Sequence, residues 1–163
     1  MKKIHYLAIC LLATGLAACT QNEEISSLEN QKAITFDTYV GRDAATRASV
    51  IDVDALQEDG FGVFGYYTPG DWTTSATPNF MYNQKVSTAD WTYAPLKYWP
   101  ATGKISFFAY APYDESAELS LNTAAGTPKL TYSVPSTVAG QKDLLVAGAQ
   151  KDKNANTVNF TFK

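Results

Sequence analysis

The body of this chain has no thiol and no imidazole. Its 163 residues include two cysteines and one histidine, and all three lie within the first nineteen positions, as Cys10, Cys19 and His5. From residue 20 onward nothing can form a disulfide, a catalytic Ser-His-Asp or Cys-His centre, or a zinc site built on nitrogen and sulfur ligands. We therefore expect no bound metal and no cofactor.

The chain also lacks an excess of basic charge and a long apolar run. Its net charge is −3, and loss of Lys2 and Lys3 with a cleaved leader would make it −5. An acidic surface has no basic footprint for nucleic acid, which excludes that class of partner. The apolar run from Ile4 to Leu12 is shorter than the roughly 18 residues that a membrane span needs.

The first nineteen residues have the pattern of an export signal. A basic start and a short apolar core are followed by the small residues of Leu16-Ala17-Ala18 directly before Cys19. Such segments are removed from the mature protein, and a cysteine after Leu-Ala-Ala resembles a bacterial lipobox. We predict a signal peptide over residues 1–18 and a lipid on Cys19 that attaches the chain to a membrane outside the cytoplasm.

A polar segment separates this leader from the folded part of the chain. Residues 19–32 have almost no apolar pattern and contain Glu23, Glu24 and Glu29, so we predict a flexible tether. The acidic pair soon after Cys19 resembles the signal that directs some lipoproteins to the outer face of the outer membrane. A mere linker explains the segment equally well.

From residue 33 the apolar pattern has a period of two, which is typical of half-buried strands. Turn signals such as Pro69-Gly70-Asp71 separate the runs, and Ser49 to Gln57 has room for only a turn or two of helix. Many short strands with frequent turns predict an all-β, antiparallel sandwich or barrel. The predicted strands are Ile34–Val40, Phe61–Tyr67, Asn79–Val86, Ile105–Ala111, Leu130–Val134, Leu144–Ala147 and Thr157–Phe162.

The tryptophans permit two interpretations. Trp72, Trp91 and Trp99 could offer flat faces on which sugar rings stack, and the prolines Pro95 and Pro100 would hold the last two in place. Aromatic residues of β-sandwiches more often pack between the sheets, which makes the burial of these rings the deciding observation.

Other chemical motifs fail their tests. The acidic group from Asp52 to Asp59 has Leu56 at a ligand position and Gln57 where an EF-hand needs glycine. The glycines from Gly60 to Gly65 match a dinucleotide spacing but lie in a strand pattern rather than at the start of a helix. Paired carboxylates for glycoside hydrolysis stay open, although no pair stands out near Asp114.

The segment after the first predicted strand contains two arginines. Arg42 and Arg47 lie among small and polar residues between Gly41 and Ser49. Exposed loops of this composition are preferred sites of proteolytic nicking. An ordinary solvated loop is the alternative.

Several motifs follow one another in a distinctive order and spacing after the leader. They are Ala33-Ile34-Thr35-Phe36, Thr46-Arg47-Ala48, Gly60-Phe61-Gly62-Val63-Phe64-Gly65-Tyr66-Tyr67, Phe80-Met81-Tyr82-Asn83, Trp91-Thr92-Tyr93, Leu96-Lys97-Tyr98-Trp99-Pro100, Lys104-Ile105-Ser106-Phe107-Phe108-Ala109-Tyr110-Ala111-Pro112-Tyr113 and Lys142-Asp143-Leu144-Leu145-Val146-Ala147. Together they resemble a known family, the Mfa-like or FimA-type fimbrillins, which are lipoprotein pilins and pilus-associated proteins of Bacteroidetes. The resemblance covers nearly the whole chain after the leader.

The resemblance implies a Greek-key, transthyretin-like β-sandwich exported as a lipoprotein to the outer membrane. It implies that a trypsin-like protease cuts after an arginine, best matched by Arg47 and next by Arg42. The strand that then departs would carry Ile34, Phe36, Thr38 and Val40, and a strand of another fimbrillin-type subunit would take its place. Strand addition of this kind gains main-chain hydrogen bonds and fills pockets with alternate side chains.

The resemblance also implies two domains, and we expect residues 33–163 to be the N-terminal one, without the second, because Lys163 directly follows a strand pattern. The leading hypothesis is a non-enzymatic surface lipoprotein that builds or accompanies pili and contributes to adhesion. An outer-membrane lipoprotein that binds glycans through surface aromatics is the alternative, and an enzyme comes last.

Overall fold

The computed structural model describes residues 32–40, 53–115, 119–122 and 124–163. The predicted signal peptide and nearly all of the tether lie outside these residues. Within them are nine strands, one α-helix, α1 (Val53–Asp59), and one 3-10 helix (Val138–Gly140). The strands are β1 (Phe36–Val40), β2 (Phe61–Thr68), β3 (Met81–Val86), β4 (Lys104–Ala111), β5 (Leu119–Asn122), β6 (Lys129–Tyr132), β7 (Leu145–Val146), β8 (Gln150–Lys153) and β9 (Val158–Phe162).

The largest sheet is built around the antiparallel pair β2 and β4. Their register is unbroken from Gly62 opposite Tyr110 to Thr68 opposite Lys104. On the other side of β2 lies β3, and the far edge of β4 is shared by β7 and β8, each pairing with a different part of it. A bulge in β2 between Val63 and Gly65 shifts its register against β3.

Both faces of this sheet are covered, which explains why β2 and β4 read as nearly continuous apolar runs. One face carries Phe61, Val63, Ile105 and Phe107 and belongs to the main core. The opposite face carries a smaller cluster of Phe64, Tyr66, Phe108 and Tyr110. The side chains packed against this smaller cluster are Trp72, Ala76, Leu130, Tyr132 and Leu144.

A two-stranded layer of β1 and β9 covers the main core. The two strands are parallel, with Phe36 opposite Val158 and Val40 opposite Phe162. Strand β9 alternates buried and exposed residues along its length. It also meets the larger sheet, because the N–H groups of Val146 and Lys163 each donate to the other residue's carbonyl at 3.2 Å. The result is a β-sandwich with β1 in one layer.

The short helix α1 ends at a glycine for a geometric reason. The N–H of Gly60 donates to the carbonyl of Leu56 at 2.8 Å, and Gly60 has φ of +81°, a conformation that glycine adopts without strain. A Cβ at this position would come within 2.7 Å of the Val86 carbonyl oxygen. The turn delivers the chain directly into β2, and Leu56 anchors the helix in the core.

The all-β class with antiparallel sheets is confirmed, and each predicted strand is present with ends displaced by at most two residues. Two findings differ from the sequence analysis. The β1–β9 pair is parallel rather than antiparallel, and β5 and β8 were not predicted. Among the described residues, no helix is long and apolar enough to cross a membrane.

Candidate functional site

The start of the first strand is held at one edge by a loop. The N–H of Ile34 donates to the carbonyl of Lys97 at 2.9 Å, and the N–H of Trp99 donates to the carbonyl of Lys32 at 3.0 Å. This is an antiparallel bridge centred on Ala33 and Tyr98. The loop between β3 and β4 therefore forms one wall of the site.

The opposite edge of the strand lies against β9. The N–H of Val158 donates to the carbonyl of Thr35 at 2.9 Å, and the parallel ladder then continues to the end of β1. Backbone groups of a strand alternate in direction, so the N–H of Thr38 points away from β9. That N–H donates to the Oδ1 atom of Asp37 at 2.8 Å, and among the described residues no other strand pairs with β1 on this side. A charged side chain on an edge discourages pairing there.

The inward side chains of the first strand are part of the core. Ile34 is fully buried and Phe36 is 4% exposed. The Phe36 ring has a centroid distance of 5.9 Å to Phe160, on which it stacks, and its edge-on neighbours are Tyr93 at 5.4 Å, Phe107 at 5.7 Å and Phe61 at 6.3 Å. Removing β1 would expose these neighbouring rings to water.

Tyr93 joins the strand to the loop wall. Its hydroxyl donates to the carbonyl of Ile34 at 2.9 Å and accepts from the N–H of Lys97 at 3.3 Å. Burial raises the pKa of Tyr93, so the hydroxyl keeps its proton and its donor role. Sequence analysis missed this role, because the aromatic motif around Tyr93 carries no signal of a distant partner.

The outward residues of β1 are polar or exposed. The hydroxyl oxygens of Thr35 and Thr157 lie 3.0 Å apart across the strand pair. Tyr39 is 59% exposed. Of the residues of the predicted departing strand, Ile34, Phe36, Thr38 and Val40 thus share the inward face, as the alternation indicates.

Three predicted site residues, Cys19, Arg42 and Arg47, lie outside the described residues. The chain leaves the described part at Val40, the last residue of β1, and returns at Val53, the first residue of α1. Any cut at either arginine would therefore fall between β1 and the rest of the sandwich.

The tryptophans do not form a common exposed face. Trp91 and Trp99 are 8% and 5% exposed, and their rings pack near Phe61 and Phe107. Trp72 is half-buried, and the Nζ atom of Lys151 lies 4.1 Å from its ring centroid. A sugar has no access to the faces of Trp91 and Trp99, so the glycan interpretation loses two of its three residues.

A polar cluster lies at the end of β4, away from the first strand. The Tyr110 hydroxyl donates to Oδ1 of Asn83 at 2.8 Å, and the carbonyl oxygen of Asp114, 3.2 Å from the same hydroxyl, is a second, longer acceptor for its single proton. The buried Asp114 carboxylate accepts from Nζ of Lys142 at 3.1 Å. Among the described residues, no three histidine, cysteine or acidic side chains are grouped as metal ligands.

The fold and its site define an all-β sandwich whose main core is completed by its own first strand. A family model described as fimbrillin-like matches residues 46–163. The chain belongs to the fimbrillin-like family, and the resemblance drawn from its motifs is confirmed.

A curated relative supports the same assignment. The chain is 31% identical to fimbrium subunit Fim1C of Phocaeicola vulgatus over an alignment of 186 positions, which covers 98% of this chain and 48% of the relative. The chain thus spans about half the length of the curated relative that it matches. No solved structure gives a significant match.

Proposed function

We propose that this chain is a non-enzymatic surface lipoprotein that builds or accompanies fimbriae. In this proposal a lipid on Cys19 attaches it to the outer membrane, and a trypsin-like protease cuts after Arg47 or Arg42. The first strand then leaves, and a strand of another fimbrillin-type subunit takes its place. The relative's name, fimbrium subunit, supports the assembly role.

The proposal rests on the burial of Ile34 and Phe36, because the strand segment that contributes these two side chains lies at the edge of its layer. Burying one such side chain contributes about 1.5–3 kcal/mol, so the two together contribute about 3–6 kcal/mol, a large part of the roughly 5–15 kcal/mol that stabilises a small domain. A sandwich that loses β1 must therefore fill the groove again. An incoming strand of alternating apolar residues does this and recovers the ladder along β9.

Cleavage between β1 and α1 gives the exchange its direction. While the chain is intact, β1 returns to its groove as an intramolecular partner at a high effective concentration. A cut after Arg47 or Arg42 makes that return bimolecular, so that a competing strand can win.

Limited trypsin digestion tests the cleavage step. We expect the purified protein to be cut first after Arg47 or Arg42, as read from the new N-terminus, with the body from α1 to β9 resistant. A variant with both Arg42→Gln and Arg47→Gln should lose this first cut. First cleavage after the exposed Lys85, or after Lys104, with residues 41–52 intact would contradict the proposal.

Exchange of Cys19 tests the anchoring step. We expect Cys19→Ala to abolish incorporation of labelled fatty acid and to release the protein from the membrane fraction. Cys10→Ala is the matched control, because that cysteine would leave with the signal peptide, and it should be lipidated normally. Membrane-bound, lipid-labelled Cys19→Ala protein would disprove the anchor.

A further inference from the structure

Thr38 occupies an inward position of β1 that its chemistry does not suit. It follows Ile34 and Phe36 on the inward side of the strand, and it lies opposite Phe160 in the β1–β9 register. Phe160 is 1% exposed and belongs to the main core. The Thr38 side chain is therefore placed where the neighbouring positions carry apolar groups.

The hydroxyl of Thr38 is buried. Its Oγ1 atom is shielded from solvent and makes no hydrogen bond within the described part of the chain. Removing a hydroxyl from water without supplying a new hydrogen bond is unfavourable. Valine has the same branched shape with a methyl group in place of the hydroxyl, so it would avoid this loss.

A second threonine, directly before β1, shows the contrast. Thr35 points outward, is exposed, and has its hydroxyl 3.0 Å from that of Thr157. Its polar group therefore keeps both water and a partner. The unfavourable burial is specific to the inward position of Thr38, and not a general property of threonine in this segment.

We infer that the groove that β1 occupies, between β9 and the loop that joins β3 to β4, selects an incoming strand with an aliphatic side chain at the Thr38 position. The buried hydroxyl of Thr38 makes β1 bind this groove more weakly than such a strand would. The inference rests on the proposed strand exchange. It assigns the partner a chemical signature, in which four successive inward positions are apolar where this chain has Ile34, Phe36, Thr38 and Val40. A strand that matches all four binds better than the strand it replaces.

The first test uses the intact chain and does not depend on exchange. We expect Thr38→Val to raise the Tm by roughly 3–6 °C. Thr35→Val makes the same substitution at the exposed residue directly before β1, and it should leave the Tm unchanged or lower it slightly. A Thr38→Val protein no more stable than the Thr35→Val control would overturn the inference.

The second test measures the groove directly. The chain cut by trypsin between β1 and α1 is mixed with fluorescent peptides of residues 33–40, one natural and one carrying Thr38→Val. Displacement of the resident strand is followed by fluorescence anisotropy. We expect the valine peptide to bind roughly tenfold more tightly, and equal binding of the two peptides would overturn the inference.

The two tests separate the possible failures. If neither peptide enters the groove, both the strand exchange and the selection of an incoming strand are overturned. A raised Tm for Thr38→Val would then assign the failure to exchange, whereas an unchanged Tm would show that the hydroxyl carries no penalty either.

Discussion

Phe36 and Phe160 stack with their ring planes 16° apart and their centroids 5.9 Å from each other. They belong to β1 and β9, which are parallel neighbours formed by distant parts of the chain. The stacked pair lies in one layer and faces the main core. Phe36 also contacts the rings of Phe61 and Phe107 in the larger sheet, so the packing of this core depends on the first strand.

The Phe36 ring supplies the first prediction. We expect Phe36→Ala to lower the free energy of unfolding by about 3–5 kcal/mol, because it removes a buried ring and leaves a cavity. Phe36→Leu keeps most of the volume and should cost about 1 kcal/mol. Urea denaturation measures both.

The control for Phe36 is its exposed neighbour on the strand. Tyr39→Ala should change the free energy of unfolding by no more than about 0.5 kcal/mol, because Tyr39 is 59% exposed. If Phe36→Ala and Tyr39→Ala were equally stable, β1 would not complete the core.

Two buried tyrosines with opposite hydrogen-bonding give the second prediction. Tyr66 is fully buried and its hydroxyl has no partner in the described part of the chain, whereas the Tyr110 hydroxyl donates to Asn83 at 2.8 Å. Tyr66→Phe should therefore be neutral or stabilise the protein at pH 7. Tyr110→Phe should destabilise it by about 1–2 kcal/mol, because Oδ1 of Asn83 loses its donor. Thermal unfolding of both variants decides the order, and the reverse order would contradict the assigned bonding.

Tyr66 also predicts how the stability of the protein changes at alkaline pH. Burial, with a smaller contribution from Tyr82, raises the pKa of Tyr66 from 10.0 to about 12. Below pH 10 the hydroxyl is protonated in both states, and between about pH 10 and 12 the unfolded chain releases the proton first. Stability contributed by the neutral Tyr66 is thus lost as the pH rises through this window. We expect the Tm of Tyr66→Phe to fall less steeply than that of the parent from pH 9 to 12, and identical slopes would contradict the raised pKa.

Much of the fold was predictable because the residue pattern of its strands identifies which side chains are buried. In β9 the alternation of Val158, Phe160 and Phe162 with polar residues gave the inward set directly. In β2 and β4 both faces are buried, and a long apolar run bounded by turns was enough. The predicted inward residues of β1 follow from the same alternation, since Ile34 and Phe36 are in the core.

Other features of the fold and of the site have no local sequence pattern from which they could be predicted. Strand β8 is the polar segment Gln150–Lys153, and its pairing with β4 depends on backbone groups that carry no side-chain signal. The parallel direction of β1 and β9 depends on the path of the chain between these two strands, which are far apart in sequence. The roles of Tyr93 and Thr38 depend on which groups face them after folding. The Tyr93 hydroxyl has a hydrogen-bond partner, whereas that of Thr38 has none among the described residues, and no local pattern predicts this difference.

A third prediction compares two lysine–carboxylate pairs. Nζ of Lys142 lies 3.1 Å from Asp114, whose side chain is 3% exposed. Lys142→Met removes the cation next to a buried carboxylate and should cost about 1.5–3 kcal/mol. Urea denaturation at low and high salt measures the effect. Most of it should persist in salt, because the Asp114 side chain is only 3% exposed, although that of Lys142 is 47% exposed.

The control for Lys142 is a pair at the surface. Nζ of Lys104 lies 2.5 Å from Asp71, whose side chain is 77% exposed. Exposed pairs contribute little and are screened by salt. Lys104→Met should leave the unfolding midpoint unchanged, and an equal loss in both variants would show that Asp114 is not the more dependent carboxylate.

A last prediction concerns the close approach of β2 and β4. Gly62 lies opposite Tyr110, and a Cβ at this position would collide with Cε1 of that ring and come within 2.6 Å of Oδ1 of Asn83. Gly62→Ala should therefore lower the free energy of unfolding by about 2–4 kcal/mol, through overpacking and loss of the Tyr110–Asn83 hydrogen bond. Gly70→Ala is the control, because a Cβ there meets nothing within 4 Å and stability should not change. Since the collision needs the ring, the cost of Gly62→Ala should shrink in a Tyr110→Leu background, and a cost that stayed the same in both backgrounds would place the cause elsewhere.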